Sequence, residues 1–221
     1  MMHRDSLGTV QRIEPGAINW MSAGEGIVHS ERAPDDLRGS TYVNHGLQLW
    51  VALPQAMEAG LPSFTHTPAS AISACELPGA SIKVLIGEAL GLRSPVPAAS
   101  PTLILDIWLA AGARVALPLQ AEELGVYSVD EAITVQGQLV SARQLLALGG
   151  SGEPLIIEAS STSRVVIIGG QSLGPRFMWW NFVASSKAAI EAAALRWEQG
   201  GFRSVPGETE HIPLPSSGRP A

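Results

Sequence analysis

Turn residues cut this chain into short alternating segments, and that punctuation constrains its fold more than any other feature. Glu14-Pro15-Gly16 marks a tight turn, because proline presets φ at one position and glycine accepts a positive φ at the next. It separates the strand-like Thr9–Ile13 from the strand-like Ile18–Met21. Ile27–Glu31 alternates, and so does Leu47–Leu53, where Leu47, Leu49, Val51 and Leu53 share one face. Further strands are expected at Ser81–Ile86, Thr102–Leu109, Arg114–Leu117, Gly125–Val129, Ile133–Val135, Gln144–Leu148, Leu155–Glu158 and Arg164–Ile168. Gly112, Gly137, Gly149-Gly150-Ser151-Gly152 and Gly169-Gly170 punctuate them. Segments spaced by about ten residues with such turns predict an all-β sandwich or barrel rather than a parallel α/β sheet.

One segment follows a different period. Ser185–Gln199 carries Ile190, Ala194 and Trp197 at helical spacing, with serines before it and Gly200-Gly201 after it, so one late amphipathic helix is expected. Prolines at 95, 97 and 101 withhold ladder donors across Arg93–Pro101. That stretch is expected to connect two β domains, residues 1–100 and 101–203. Residues 204–221 are rich in Pro, Ser and Gly and are expected to form a disordered tail.

Composition excludes several classes. Hydrophobic residues at 46% and charged ones at 15% describe a globular chain rather than a disordered one. The 14 basic residues are scattered in a chain of net charge −6, which excludes a basic nucleic-acid surface. No apolar run reaches bilayer length, and Met1-Met2-His3-Arg4-Asp5 does not begin a signal peptide, so no membrane partner is expected. The single cysteine, Cys75, supports neither a disulfide framework nor a thiolate cluster and is expected to serve as a small, buried or half-buried apolar residue. A reducing cytoplasm fits these features.

The informative chemistry lies in Gly26-Ile27-Val28-His29-Ser30-Glu31. Residues i and i+2 of a strand point to the same face, so the His29 imidazole and the Glu31 carboxylate project side by side. Both are ligand types for iron, manganese, nickel or zinc, and this spacing lets them hold adjacent positions on one ion. A solvent-facing polar pair on an edge strand is the alternative. His211 lies in the tail, His66 in a Thr/Pro-rich loop and His45 before a strand, which makes them surface or turn residues. His3 is close enough to a chain end to be poorly held. Trp20, Trp50, Trp179 and Trp180 are expected in the core. No metalloprotease, nucleophile-elbow, P-loop or dinucleotide motif is present.

The run from Pro15-Gly16-Ala17 through Trp20-Met21-Ser22-Ala23-Gly24-Glu25-Gly26-Ile27-Val28-His29-Ser30-Glu31 resembles the central signature of pirins. So does Gly46-Leu47-Gln48-Leu49-Trp50-Val51-Ala52-Leu53-Pro54. The likeness weakens through Leu103–Leu117, recovers at Phe177-Met178-Trp179-Trp180-Asn181-Phe182-Val183, and covers residues 3–203.

The resemblance implies two tandem cupin (jelly-roll) barrels with a mononuclear metal, usually iron, in the first. The family's ligands are three histidines and one glutamate, of which His29 and Glu31 map here. The other two belong to an upstream His-Pro-His segment that this sequence does not contain, and His3 matches a family histidine that is not a ligand. The first barrel is therefore expected to be incomplete, through a late gene start, a decaying gene or a genuine short form. An open sheet edge would invite self-association or a protein partner. Some pirins are similar to iron-dependent quercetin 2,4-dioxygenases, which implies a flavonoid-like substrate with Glu31 as catalytic base and His29 as ligand. Others associate with transcription factors or metabolic enzymes. With two donors, iron or another divalent transition metal is expected to bind weakly and without turnover.

Overall fold

The computed structural model describes residues 1–150 and 152–216, so Ser151 of the glycine-rich turn and the last five residues of the tail lie outside it. The chain divides into two compact units, one formed by residues 1–66 and 173–221 and the other by residues 67–172. Among the described residues nearly all regular structure is antiparallel β, with one α-helix. Among the described residues, no helix is long and apolar enough to cross a membrane.

The first segment of the first unit carries β1 (Met2–Asp5), β2 (Val10–Arg12), β3 (Ile18–Ser22), β4 (His29–Arg32) and β5 (Ser63–Thr67). They form a three-stranded sheet, β2-β1-β4, and a two-stranded sheet, β3-β5. The expected turn closes as the residues dictate: Ala17 N–H donates to Glu14 C=O at 3.0 Å, with Gly16 at φ 81°.

Leu47–Leu53 forms no strand, and Leu47, Leu49 and Val51 are exposed along with Trp50, which was expected in the core. Its alternation suits one buried face, but a strand exists only with a hydrogen-bonded neighbour.

The second unit is a double-sheet sandwich. It contains β6 (Ser73–Leu77), β7 (Ala80–Ile86), β8 (Glu88–Ala89), β9 (Leu92–Arg93), β10 (Thr102–Leu109), β11 (Arg114–Leu117), β12 (Glu123–Ser128), β13 (Ile133–Val135), β14 (Gln138–Val140), β15 (Leu145–Gly149), β16 (Leu155–Ala159) and β17 (Ser163–Gly170). A six-stranded sheet runs β15-β12-β17-β10-β7-β6, and a four-stranded one runs β11-β16-β13-β14. Alternation decides which side chains meet between them: Ile82, Val84, Leu105, Ile107, Val126 and Ile167 from one sheet, Leu117, Ile133, Val135 and Ile157 from the other. Cys75 is free and half-buried against this core.

The proline-rich stretch forms no ladder from Ser94 to Pro101 and lies within the compact unit of residues 67–172. Ser94 Oγ donates to Leu85 C=O at 2.6 Å, and Val96 is buried. On the outer face of β10, Asp106 makes a two-pronged ion pair with Arg164 at 2.7 and 3.0 Å, and the guanidinium lies over Trp108.

The chain returns to the first unit with β18 (Phe177–Trp179), β19 (Phe182–Ala184) and α1 (Lys187–Glu198). The Ser186 side chain caps the helix by accepting the Ala189 N–H at 3.2 Å, and Gly200 at φ 65° ends it. Ile190 and Ala194 are fully buried, while Trp197 is only half-buried. Residues 204–216, expected to belong to a disordered tail, hold no helix or strand but are anchored by specific contacts. Trp197 Nε1–H donates to Ile212 C=O at 2.9 Å, His211 stacks on the Trp197 ring, and Val205 is buried.

Candidate metal centre

The register of β1 against β4 assembles the candidate site. His3 lies opposite Glu31 and Asp5 opposite His29, so all four side chains project from one face of the ladder. His29 and Glu31 are exposed, and among the described residues neither makes a side-chain hydrogen bond. Enclosure of the His29 ring, and next the neighbouring His3, hold its pKa below the ordinary histidine value; Glu31 and Asp5 act the other way.

His3, expected to be poorly held, is in fact buried at 4% exposure. Strands on both sides pin its backbone, because β1 is the middle strand of its sheet. Its Nε2 lies 3.2 Å from Asp5 Oδ2. Its ring stacks on Phe64 at 4.5 Å and on His29 at 5.6 Å between centroids. Asp5 is fully buried, and its Oδ1 accepts the amides of Leu7 at 2.9 Å and Thr9 at 3.0 Å. Burial acts to raise the Asp5 pKa, but the hydrogen bonds from Thr9, His3 and Leu7 prevail and hold it below the usual carboxylate value.

Sequence reasoning missed Asp5 and Phe64. His3-Arg4-Asp5 has the same two-residue spacing as His29-Ser30-Glu31, and that parallel was the available signal for Asp5.

The opposite face of β4 is tied down. Ser30 Oγ donates to Glu208 at 2.6 Å, and Arg32 reaches Glu208 at 2.8 Å and Glu210 at 2.7 Å. Of the other histidines, His45 is exposed. His66 is a half-buried residue of β5 rather than a loop residue, with Nδ1 2.7 Å from Asn19 Oδ1.

His29 and Glu31 present one imidazole nitrogen and one carboxylate oxygen from the same face of β4, and both are ligand types for a first-row divalent ion. The described residues bring no group of three or more His, Cys, Asp or Glu into an arrangement that could hold a metal. His3 is committed to Asp5. The second unit contains no histidine, and apolar side chains fill its core.

Two family descriptions match this chain: pirin over residues 1–51 and pirin C-terminal cupin domain over residues 104–203. Over 221 aligned residues it is 40% identical to a pirin-like protein of Caulobacter vibrioides, covering 96% of this chain and 74% of that one. The chain belongs to the pirin family. A rat pirin is 30% identical, with 93% of this chain and 72% of that one aligned. A crystal structure of quercetin 2,3-dioxygenase from Acinetobacter baumannii superimposes with a TM-score of 0.90 at 32% identity, covering 100% of this chain and 73% of that one.

The glycines of the pirin-like run have structural reasons in this chain. Gly24 has φ 50°, and a Cβ there would sit 2.1 Å from the Gly60 carbonyl oxygen, which also accepts the Glu25 N–H. Gly26 has φ 129°, and a Cβ there would meet the Phe202 ring. Both residues shape the turn that delivers the pirin chain into β4.

Proposed function

We propose that this pirin carries half of a mononuclear metal site, with His29 and Glu31 holding two neighbouring positions on iron or another divalent transition metal. The observation that carries this reading is the pair itself: two unengaged donors side by side on the exposed face of a strand whose other face is anchored. When bound, such an ion supplies open positions at which an acidic hydroxyl compound and dioxygen can be held together. A flavonoid-like small molecule is the substrate class in view, by analogy with the quercetin 2,3-dioxygenase that this chain resembles. In that chemistry Glu31 takes the substrate hydroxyl proton and His29 serves as ligand alone.

Two donors leave most of an ion's coordination to water, so retention by this polypeptide is weak and quercetin turnover absent. Iron content after dialysis, together with quercetin-dependent oxygen uptake, tests this. Loss of the iron and no uptake are expected; stoichiometric iron or oxygen consumption would overturn it.

A second reading, a non-catalytic protein-binding module, draws support from the uncovered apolar residues of the first unit. Val43 is 91% exposed and Leu61 87%, and Trp50 and Leu47 are also exposed. Light scattering across a concentration series tests self-association: mass rising toward a dimer supports it, and a constant monomer mass points to a different partner or none.

A further inference from the structure

We propose that Asp5 and His3 form a positioning device for His29, an inference that rests on the half-site reading above. Two backbone amides and full burial immobilise Asp5. Asp5 in turn holds the His3 ring by the 3.2 Å contact at Nε2. The fixed ring then offers two stacking partners, Phe64 with an interplanar angle of 14° and His29 with 25°. His3 and His29 are diagonal neighbours across the β1–β4 ladder, a separation that aromatic side chains can bridge.

An exposed histidine ordinarily samples several side-chain conformations. Stacking against a buried, hydrogen-bonded ring selects one of them and presents the His29 nitrogen beside Glu31 before any ion arrives. The chain of restraint runs from the amides of Leu7 and Thr9 through Asp5 and His3 to His29. His3 touches neither substrate nor ion, and it acts through the orientation of another residue. Groups behind metal ligands typically tune affinity by roughly 10- to 100-fold. A stack without a hydrogen bond to the ligand belongs at the low end, about tenfold.

The test uses the full chain, with Ni²⁺ as the probe, and compares His3→Gln with His3→Phe. Glutamine keeps a hydrogen-bond donor for Asp5 and removes the ring, whereas phenylalanine keeps the ring. Calorimetry reads Ni²⁺ affinity, and relaxation of ¹³C-labelled histidine rings reads the order of His29 without any metal. His3→Gln is expected to weaken Ni²⁺ binding about tenfold and to mobilise the His29 ring, and His3→Phe, which keeps the ring but loses its tether to Asp5, to fall between His3→Gln and the unaltered chain in both. Unchanged ring order and affinity in His3→Gln would overturn the proposal.

The two readings separate cleanly. Ni²⁺ binding that requires His29 but ignores His3 sinks the positioning device and leaves the half-site standing. A His29 ring ordered by His3 in a chain that binds no Ni²⁺ sinks the half-site and leaves the positioning standing.

Discussion

Ser30 donates a 2.6 Å hydrogen bond to Glu208, 178 positions further along the chain, from the face of β4 opposite to His29 and Glu31. Arg32 adds a charge-assisted bond to the same carboxylate at 2.8 Å. The strand that carries the candidate metal donors is thus backed by the C-terminal segment.

This backing depends on pH with a definite sign. Hydrogen bonds from Arg32 and Ser30 hold Glu208 down to about 2, from an ordinary value near 4.5. The folded-state pKa is depressed, so the contact stabilises fully above the unfolded value and is lost as pH falls through the folded one. Hydrogen-exchange protection factors at residues 205–212, taken relative to the intrinsic rate at each pH, are expected to hold down to about pH 4 and to fall toward pH 2. Arg32→Ala should lower them already at neutral pH, and unchanged protection in that variant would contradict the arrangement.

Arg164→Ala is expected to destabilise the second unit by about 2–3 kcal/mol, because it strands the buried Asp106 carboxylate. The figure lies below the range for fully buried pairs because the guanidinium keeps 26% of its exposure. Arg164→Lys should recover only part, since an ammonium cannot reproduce the two parallel bonds. Urea denaturation measures both.

Gly24→Ala is expected to cost about 2 kcal/mol or more, because the added carbon collides with a backbone oxygen and the φ of 50° disfavours a side chain. The same change should disorder the approach to β4 and weaken metal binding through His29. A thermal melt paired with a Ni²⁺ titration checks both effects.

Ile190→Ala should cost about 2–4 kcal/mol by leaving a cavity beneath α1, where Ile190 is fully buried with Ala194, Trp179 and Ala184. Chemical denaturation followed through Trp179 and Trp197 fluorescence reads it.

The parts of the fold that were legible in the sequence are those set by local pattern. Thr102–Leu109, a short run of mostly apolar residues, becomes β10 with the same bounds, and the helix starts after a serine and stops at glycines as its residues dictate. The i, i+2 geometry of His29 and Glu31 follows from strand pleating alone. What escaped detection depends on partners distant in sequence. Met2–Asp5 is too polar to announce a strand, yet pairing on both sides makes it one and buries His3 and Asp5. Leu47–Leu53 shows the converse: a strand-like pattern that stays unpaired and exposed. The anchoring of residues 204–216 rests on contacts to Ser30, Arg32 and Trp197, which no composition rule anticipates.

The most direct test of the half-site is an anaerobic calorimetric titration of Fe²⁺ into the full chain beside its His29→Ala and Glu31→Ala variants. Weak, single-site binding that either substitution abolishes is the predicted result. Tight stoichiometric binding, or weak binding that survives both substitutions, would contradict it.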